Sequence, residues 1–266
     1  MSMQPAASHL ALDRPPSLTA LAIERLRQAI LAAEFELGEG LSEERLASYL
    51  GVSRTPVREA LNALQLQGLV EIQPQRGSFV FFPSVDDVAQ LCEFRMMMEA
   101  RAIALCHARS KQQTLMRLRE ANAAMIGARE RNEALAIAQA DTDFHDTLFD
   151  LCGNRYLAEA YGLMSGRVAT LRTHLLAPTT GIRKPAIDEH AEIIDAFASG
   201  DLLRAENTLS SHIFKMRSRF GVLLELLNGQ VVAPDKSKRR RAASPAPRAP
   251  GVPESQKKTG PKARVS

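Results

Sequence analysis

The order of helix caps and turns between residues 17 and 82 leaves few folds open. Apolar residues Leu18, Leu21, Ala22, Leu26, Ala29, Ile30 and Ala33 recur on one helical face. FELGEGL (35–41), with its two glycines, reads as a turn. Ser42 then caps a short helix carrying Leu46, Ala47 and Leu50, which Gly51 ends. Ser53-Arg54-Thr55-Pro56 opens another helix, with a hydroxyl at the cap and proline in the first turn, where amides lack intrahelical acceptors anyway. Val57, Ala60, Leu61 and Leu64 share its apolar face, and Gly68 stops it. LVEIQ (69–73) and SFVFF (78–82) alternate as strands around Pro74-Gln75-Arg76-Gly77. Helix, short helix, capped helix and β-hairpin in that order predict a winged helix-turn-helix over 17–82.

Pro83 breaks the chain, and Ser84-x-x-Asp87 caps a new helix. From there to Leu227 the periodicity is helical throughout, over about 84–108, 110–130, 132–152, 154–176, 185–199 and 201–227. Long helices with short connections predict an antiparallel bundle over 84–228. The expected fold class is therefore mainly α: an N-terminal winged helix-turn-helix followed by an all-α antiparallel bundle. Residues 1–16 and 229–266, poor in apolar residues and rich in proline, read as a disordered arm and a disordered basic tail.

With 45% hydrophobic and 24% charged residues, the chain is not disordered as a whole. No apolar run reaches the roughly 20 residues of a membrane span, and no basic start with an apolar core marks a leader. Three scattered cysteines, Cys92, Cys106 and Cys152, read as buried small residues in a reducing cytoplasm, not as a disulfide framework. The net charge of +4 misleads. The tail holds ten basic against two acidic residues, so residues 1–228 carry −4. Residues 17–82 hold six basic and eight acidic residues, net −2. Any binding to DNA must then rest on a few placed arginines, and two copies on a palindromic operator are expected, as a homodimer.

The reading end of a recognition helix is its N-terminus, which here carries Ser53, Arg54, Thr55 and Arg58. Arginine reads guanine O6 and N7, and hydroxyls suit phosphate oxygens. Arg76-Gly77 at the hairpin tip is placed to reach a minor groove or a phosphate. The stretch LSEERLASYLGVSRTPVREALNALQLQGLVEIQPQRGSFV, and above all GVSRTPVREAL, resembles the N-terminal domain of GntR-family bacterial transcription factors. The resemblance implies DNA contact at Ser53, Arg54, Thr55, Arg58 and Gly77. The family often places a basic residue where this chain has Glu44; Arg45 follows it as the substitute contact.

In the bundle, Asp141 and His145 stand four apart on one face. His190 shares a face with Ile193, Ile194 and Phe197, and His212 lies near Leu209 and Phe214. Three imidazoles and a carboxylate in a bundle core would bind a divalent transition ion: zinc, nickel or manganese. EFRMMMEARAIAL, DTDFHDTLFDLCGN, DEHAEIIDAFASGD and AENTLSSH resemble the FCD effector-binding domain of the FadR subgroup. That resemblance implies metal ligation by Asp141, His145, His190 and His212. Arg95, in E-x-R-x-x-x-E, reads either as an ion pair with Glu99 or as a clamp for a carboxylate effector, which the resemblance favours. Asn154 and Arg172 are further effector candidates, Asn154 equally a helix cap. His9, His107 and His174 are left as surface or packing residues.

The expected function is a DNA-binding regulator whose operator binding is controlled by a small organic acid at the metal. Competing readings are a metalloenzyme fused to a DNA-binding module, with Asp143 or Glu189 as base, and a regulator responding to the metal itself.

Overall fold

The computed structural model describes residues 15–176 and 180–231. The arm expected over 1–16 and the tail expected over 229–266 fall almost wholly outside the described residues, as does His9.

Helix α1 (Leu18–Leu31) starts at Ser17, whose hydroxyl accepts from the Ala20 amide. Strand β1 (Gly40–Leu41) leads into α2 (Glu43–Leu50), capped by Ser42 and ended by Gly51 in the left-handed region, φ 66°. Helix α3 (Arg54–Leu66) follows, then β2 (Val70–Gln73) and β3 (Gly77–Val80). The antiparallel sheet has the order β1-β3-β2, with Gly40 opposite Phe79 and Gln73 opposite Gly77. FELGEGL was expected to be a turn, yet its last two residues form a strand. A two-residue strand is too short to show alternation. Leu26, Ile30, Val57, Leu61, Leu64, Val70 and Val80 form the core of this winged helix-turn-helix.

The bundle begins with α4 (Val85–Glu130), where Ser84 and Asp87 complete a reciprocal capping box. The expected break near residue 109 is a kink at Ser110 (φ −147°, ψ 30°) inside one long element. The Ser110 hydroxyl donates to the Leu151 carbonyl at 2.7 Å, which ties the kink to the end of α5 (Ala134–Leu151). Helix α6 (Arg155–Leu171) runs into a π-helical turn, Arg172–Leu176. Helix α7 (Thr180–Ser199) begins ahead of the expected position 185, and α8 (Leu202–Val231) closes the fold. Phe144, Leu148, Ile193, Phe197, Leu209, Ile213 and Phe220 are fully or almost fully buried between these helices. All three cysteines are free and buried, as expected. Among the described residues no helix is long and apolar enough to cross a membrane.

Candidate functional site

The N-termini of α2 and α3 and the β2–β3 turn converge on one open groove lined by Glu43, Glu44, Arg54, Arg58, Arg76 and Gly77, among others. Ser53, Arg54, Thr55 and Arg58 are exposed, while Pro56 and Val57 between them turn into the core. Ser53 occupies the cap position but its hydroxyl caps nothing, which leaves it free for a phosphate. Gly77 has φ 109°, with nothing within 4 Å of where a Cβ would stand, so the turn is open to an approaching backbone. The Arg76 guanidinium lies 5.8 Å over the Phe79 ring. Arg45 is exposed and donates to the Tyr49 hydroxyl at 3.3 Å.

Arg54 and Arg58 share a partner. Glu43 accepts from Arg58 at 2.8 and 3.0 Å and from Arg54 at 3.2 Å. The hydrogen bonds from Arg58, and secondarily from Arg54, hold its carboxyl below the usual range. The two arginine side chains remain 63% and 61% exposed, so the carboxylate aligns them without covering them.

In the bundle the four expected ligands come together. Asp141 and His145 on α5, His190 on α7 and His212 on α8 are all buried, and one donor atom from each lies within 4.8 Å of every other. His190 Nε2 stands 3.3 Å from His212 Nε2 and 3.4 Å from Asp141 Oδ1. Those separations match the edge of a coordination shell with metal–nitrogen bonds of about 2.1 Å. The imidazoles are fixed from behind. His145 Nδ1 donates to Glu99 at 2.6 Å, and His212 Nδ1 donates to Glu189 at 2.7 Å. His190 is stacked on Phe144, ring centroids 3.9 Å apart. With Nδ1 protonated against a carboxylate, Nε2 of His145 and of His212 presents a lone pair inward. His145 Nε2 is buried with no partner, a condition buried polar atoms rarely keep. The donor set therefore fits a cation. Burial depresses the basicity of His145, and of His190 to about 3, so both stand neutral at physiological pH, as a ligand must.

Two arginines border the cluster. Burial opposes the charge on Arg95, but Glu99 outweighs it and the pKa is raised. Arg95 Nε donates to Glu99 Oε1 at 2.7 Å, while both Nη atoms are buried without partners. Arg172, 1% exposed, pairs with the Asp141 carboxylate and reaches the Thr142 hydroxyl at 3.3 Å. Asn154 is not among the gathered groups. Its side chain caps α6 by accepting from the Leu157 amide at 3.3 Å, beyond the turn that ends α5.

Residues 18–80 match the bacterial regulatory proteins of the gntR family, and residues 90–215 match the FCD domain. An HTH-type transcriptional regulator in the TAR-I ttuE-ttuC' intergenic region of Agrobacterium vitis is 38% identical over 130 residues, 48% of this chain and 76% of that protein. An HTH-type regulator from an unstable DNA locus of Streptomyces ambofaciens is 32% identical over 204 residues, 71% of this chain and 79% of its own. The chain belongs to the GntR family. The crystal structure of a GntR transcriptional regulator from Rhodococcus sp. RHA1 superposes with a TM-score of 0.69 at 25% identity, covering 76% of this chain and 96% of the other. The protein is thus a transcriptional regulator of the GntR type with an FCD domain, and its helix-turn-helix is a DNA-binding module.

In this GntR regulator the sequence pairs Glu99 with Arg95 and offers Glu189 as a base, but it links neither to a histidine and gives Glu43 no partner. Glu99 joins Arg95 to His145, so the ion pair and the ligand set are one network. Glu189, weighed as a base, is engaged by His212 and by Lys215 at 2.9 Å. Against burial that works to raise it, those hydrogen bonds hold its pKa at about 2. Glu43 reads from sequence only as part of a helix start. An acidic side chain on an otherwise apolar face, as at Glu99, was the available signal.

Proposed function

We propose that this GntR-family chain binds a palindromic operator as a homodimer, and that a small carboxylic acid held beside a divalent transition ion in the bundle controls that binding. The observation that carries the reading is the buried convergence of Asp141, His145, His190 and His212 next to Arg95, whose two Nη atoms have no partner. Asp141 and the three imidazoles would hold the ion, with Glu99 and Glu189 keeping the rings oriented. Bound there, the ion would supply a Lewis-acid position for carboxylate oxygens. Arg95 offers two parallel donors, the geometry that clamps a carboxylate. On the DNA side, Arg54 and Arg58 are the base readers and Ser53, Thr55, Arg76 and Gly77 the backbone contacts, with Arg45 beside them.

Neither carboxylate considered as a catalytic base favours the enzyme reading. Glu189 is tied to His212 and Lys215, and exposed Asp143 accepts from Gln139 at 2.8 Å. The test combines metal analysis with a thermal-shift screen of small carboxylic acids, with and without chelator, and operator binding on DNA flanking the protein's own gene. One ion per chain, acid stabilisation that the chelator abolishes, and acid-dependent operator release are expected. Lack of binding of zinc, nickel or manganese would refute the metal site. Conversion of the acid to product would replace the regulator by an enzyme, and chelator-induced release without any acid would make the metal itself the signal.

A further inference from the structure

Two side chains of the bundle end on carbonyl groups at the C-terminal ends of α3 and α1 in the winged helix-turn-helix. Arg167, on α6, donates Nε–H to the Gly68 carbonyl at 3.2 Å, just past α3, and its guanidinium lies 5.3 Å over the Phe81 ring. His174, in the π-helical turn, donates Nε2–H to the Ile30 carbonyl at 3.1 Å, in the last turn of α1. Carbonyls at helix C-termini lack the usual i+4 donors and carry the negative end of the helix dipole, so a cation or a ring N–H is favoured there; at Ile30 the imidazole adds to the Ala33 amide, which donates to the same carbonyl at 3.1 Å. The backbones are fitted closely. Gly68 has φ +69°, and a Cβ on it would overlap the Arg167 guanidinium. A Cβ on Gly166 would stand 3.1 Å from Leu69 Cδ2, so Leu69 packs directly onto α6.

The same stretch of chain reaches the ligand cluster. Arg172 lies five residues after Arg167 and two before His174, and it pairs with Asp141. We propose that Arg167 and His174 are positioning residues that tie α3 and α1 to the cluster, and that α6 with its π-helical turn carries a change at Asp141 to the reading helix α3 and to α1, which packs against it. This rests on reading the Asp141 cluster as a ligand site. A ligand that engages Asp141 or draws on Arg172 acts directly on a π-helical turn, which is wound more loosely than the α-helix before it. A cleft of about 550 Å³ beside the clamp, lined by Glu71, Phe81, Leu91, Phe94, Met164 and Arg167, leaves room for the hairpin to move.

The test is hydrogen exchange by mass spectrometry on the full chain, with zinc chloride as the first probe, comparing wild type with the Arg167→Ala/His174→Gln double variant. Without zinc, the variant should exchange at least fivefold faster at 28–34 and 64–70. In wild type, zinc should slow exchange around 141–148 and also change it at 28–34 and 64–70. In the variant, the first effect should persist while the second falls below twofold. Equal exchange at these segments in the two proteins, or an equal remote zinc effect, overturns the proposal. Should zinc not bind wild type, the same comparison is run with nickel and manganese chloride; if none binds, the ligand reading fails by itself, and the metal-free comparison still decides whether the clamp exists. If the double variant does not fold, Arg167→Lys keeps the charge but loses the Nε–H donor. It should then show an intermediate loosening at 64–70, and wild-type exchange there overturns the clamp.

Discussion

Replacing Glu99 by glutamine should destabilise the fold and weaken metal binding by amounts that can be separated. Glu99 is fully buried, and its two oxygens serve Arg95 Nε at 2.7 Å and His145 Nδ1 at 2.6 Å. An amide of the same shape has one acceptor oxygen, so one of those two donors must face an NH2 group. Arg95, 1% exposed, keeps its charge and loses its counter-charge. Removing one partner of a buried pair costs about 3–5 kcal/mol, and the retained amide places this case near 3 kcal/mol. Loss of the orienting acceptor behind a metal-bound histidine costs a further ~10–100-fold in metal affinity. Urea denaturation of the metal-free chain measures the first quantity, and a competitive zinc titration against a chromophoric chelator measures the second. The double variant Arg95→Met/Glu99→Gln removes the stranded cation and should recover most of the stability, because apolar replacements of buried pairs are often neutral or better. It leaves His145 without a carboxylate, so its metal affinity should stay low. Glu99→Gln within 1 kcal/mol of wild type would refute the buried-pair argument. Full recovery of zinc affinity in the double variant would refute the orienting role.

Glu43→Gln should release Arg54 and Arg58 and remove a negative charge from the groove. Affinity for any duplex should rise, and the slope of log K against log salt should steepen by about one ion. The fold should change by less than about 1 kcal/mol, since exposed ion pairs contribute little, and an unchanged slope in polarisation titrations would place Glu43 away from phosphates. Arg58→Ala should cost about 1–3 kcal/mol of operator affinity with an unchanged melting temperature, if it reads a base; equal losses on operator and random DNA would make it a phosphate contact. Burial raises the Asp146 carboxyl to about 6. The folded state therefore holds its proton more tightly than the unfolded chain, and this stabilisation is complete below pH ~4 and lost as pH rises through 6; Asp146→Asn should flatten stability between pH 4 and 7 in denaturant titrations. Deleting 232–266, which holds ten basic and two acidic residues, should weaken binding to all DNA and reduce its salt dependence; an identical slope would assign the tail no part in binding.

The DNA-binding half was legible because its signals are local. Ser42, Gly51 and Gly68 each mark a boundary within a turn of themselves, and the structure uses all three as read. Strand β1 was not legible, since Gly40–Leu41 acquires its identity from Phe79 and Ser78 across the sheet. In the bundle, Asp141 and His145 declare themselves by spacing and His190 by its apolar face, so the ligands could be named before their convergence was seen. Their partners could not. Glu99 lies 46 residues from His145, and Glu189 lies 23 from His212. No window of sequence spans either pair. A charge-satisfaction rule narrows the gap. A carboxylate on a helical face otherwise lined by Ala102, Ile103 and Cys106 enters the core only with its charge compensated. Arg95, one turn away, takes one of its two oxygens. The other needs a donor from a different helix, and the core holds several: the imidazoles, the Arg172 guanidinium and the Tyr161 hydroxyl. Applied to Glu99, that reasoning predicts a second donor without singling out His145 among them. Arg167 and His174 escape even this rule, because their acceptors are backbone carbonyls, which every residue carries and no sequence distinguishes.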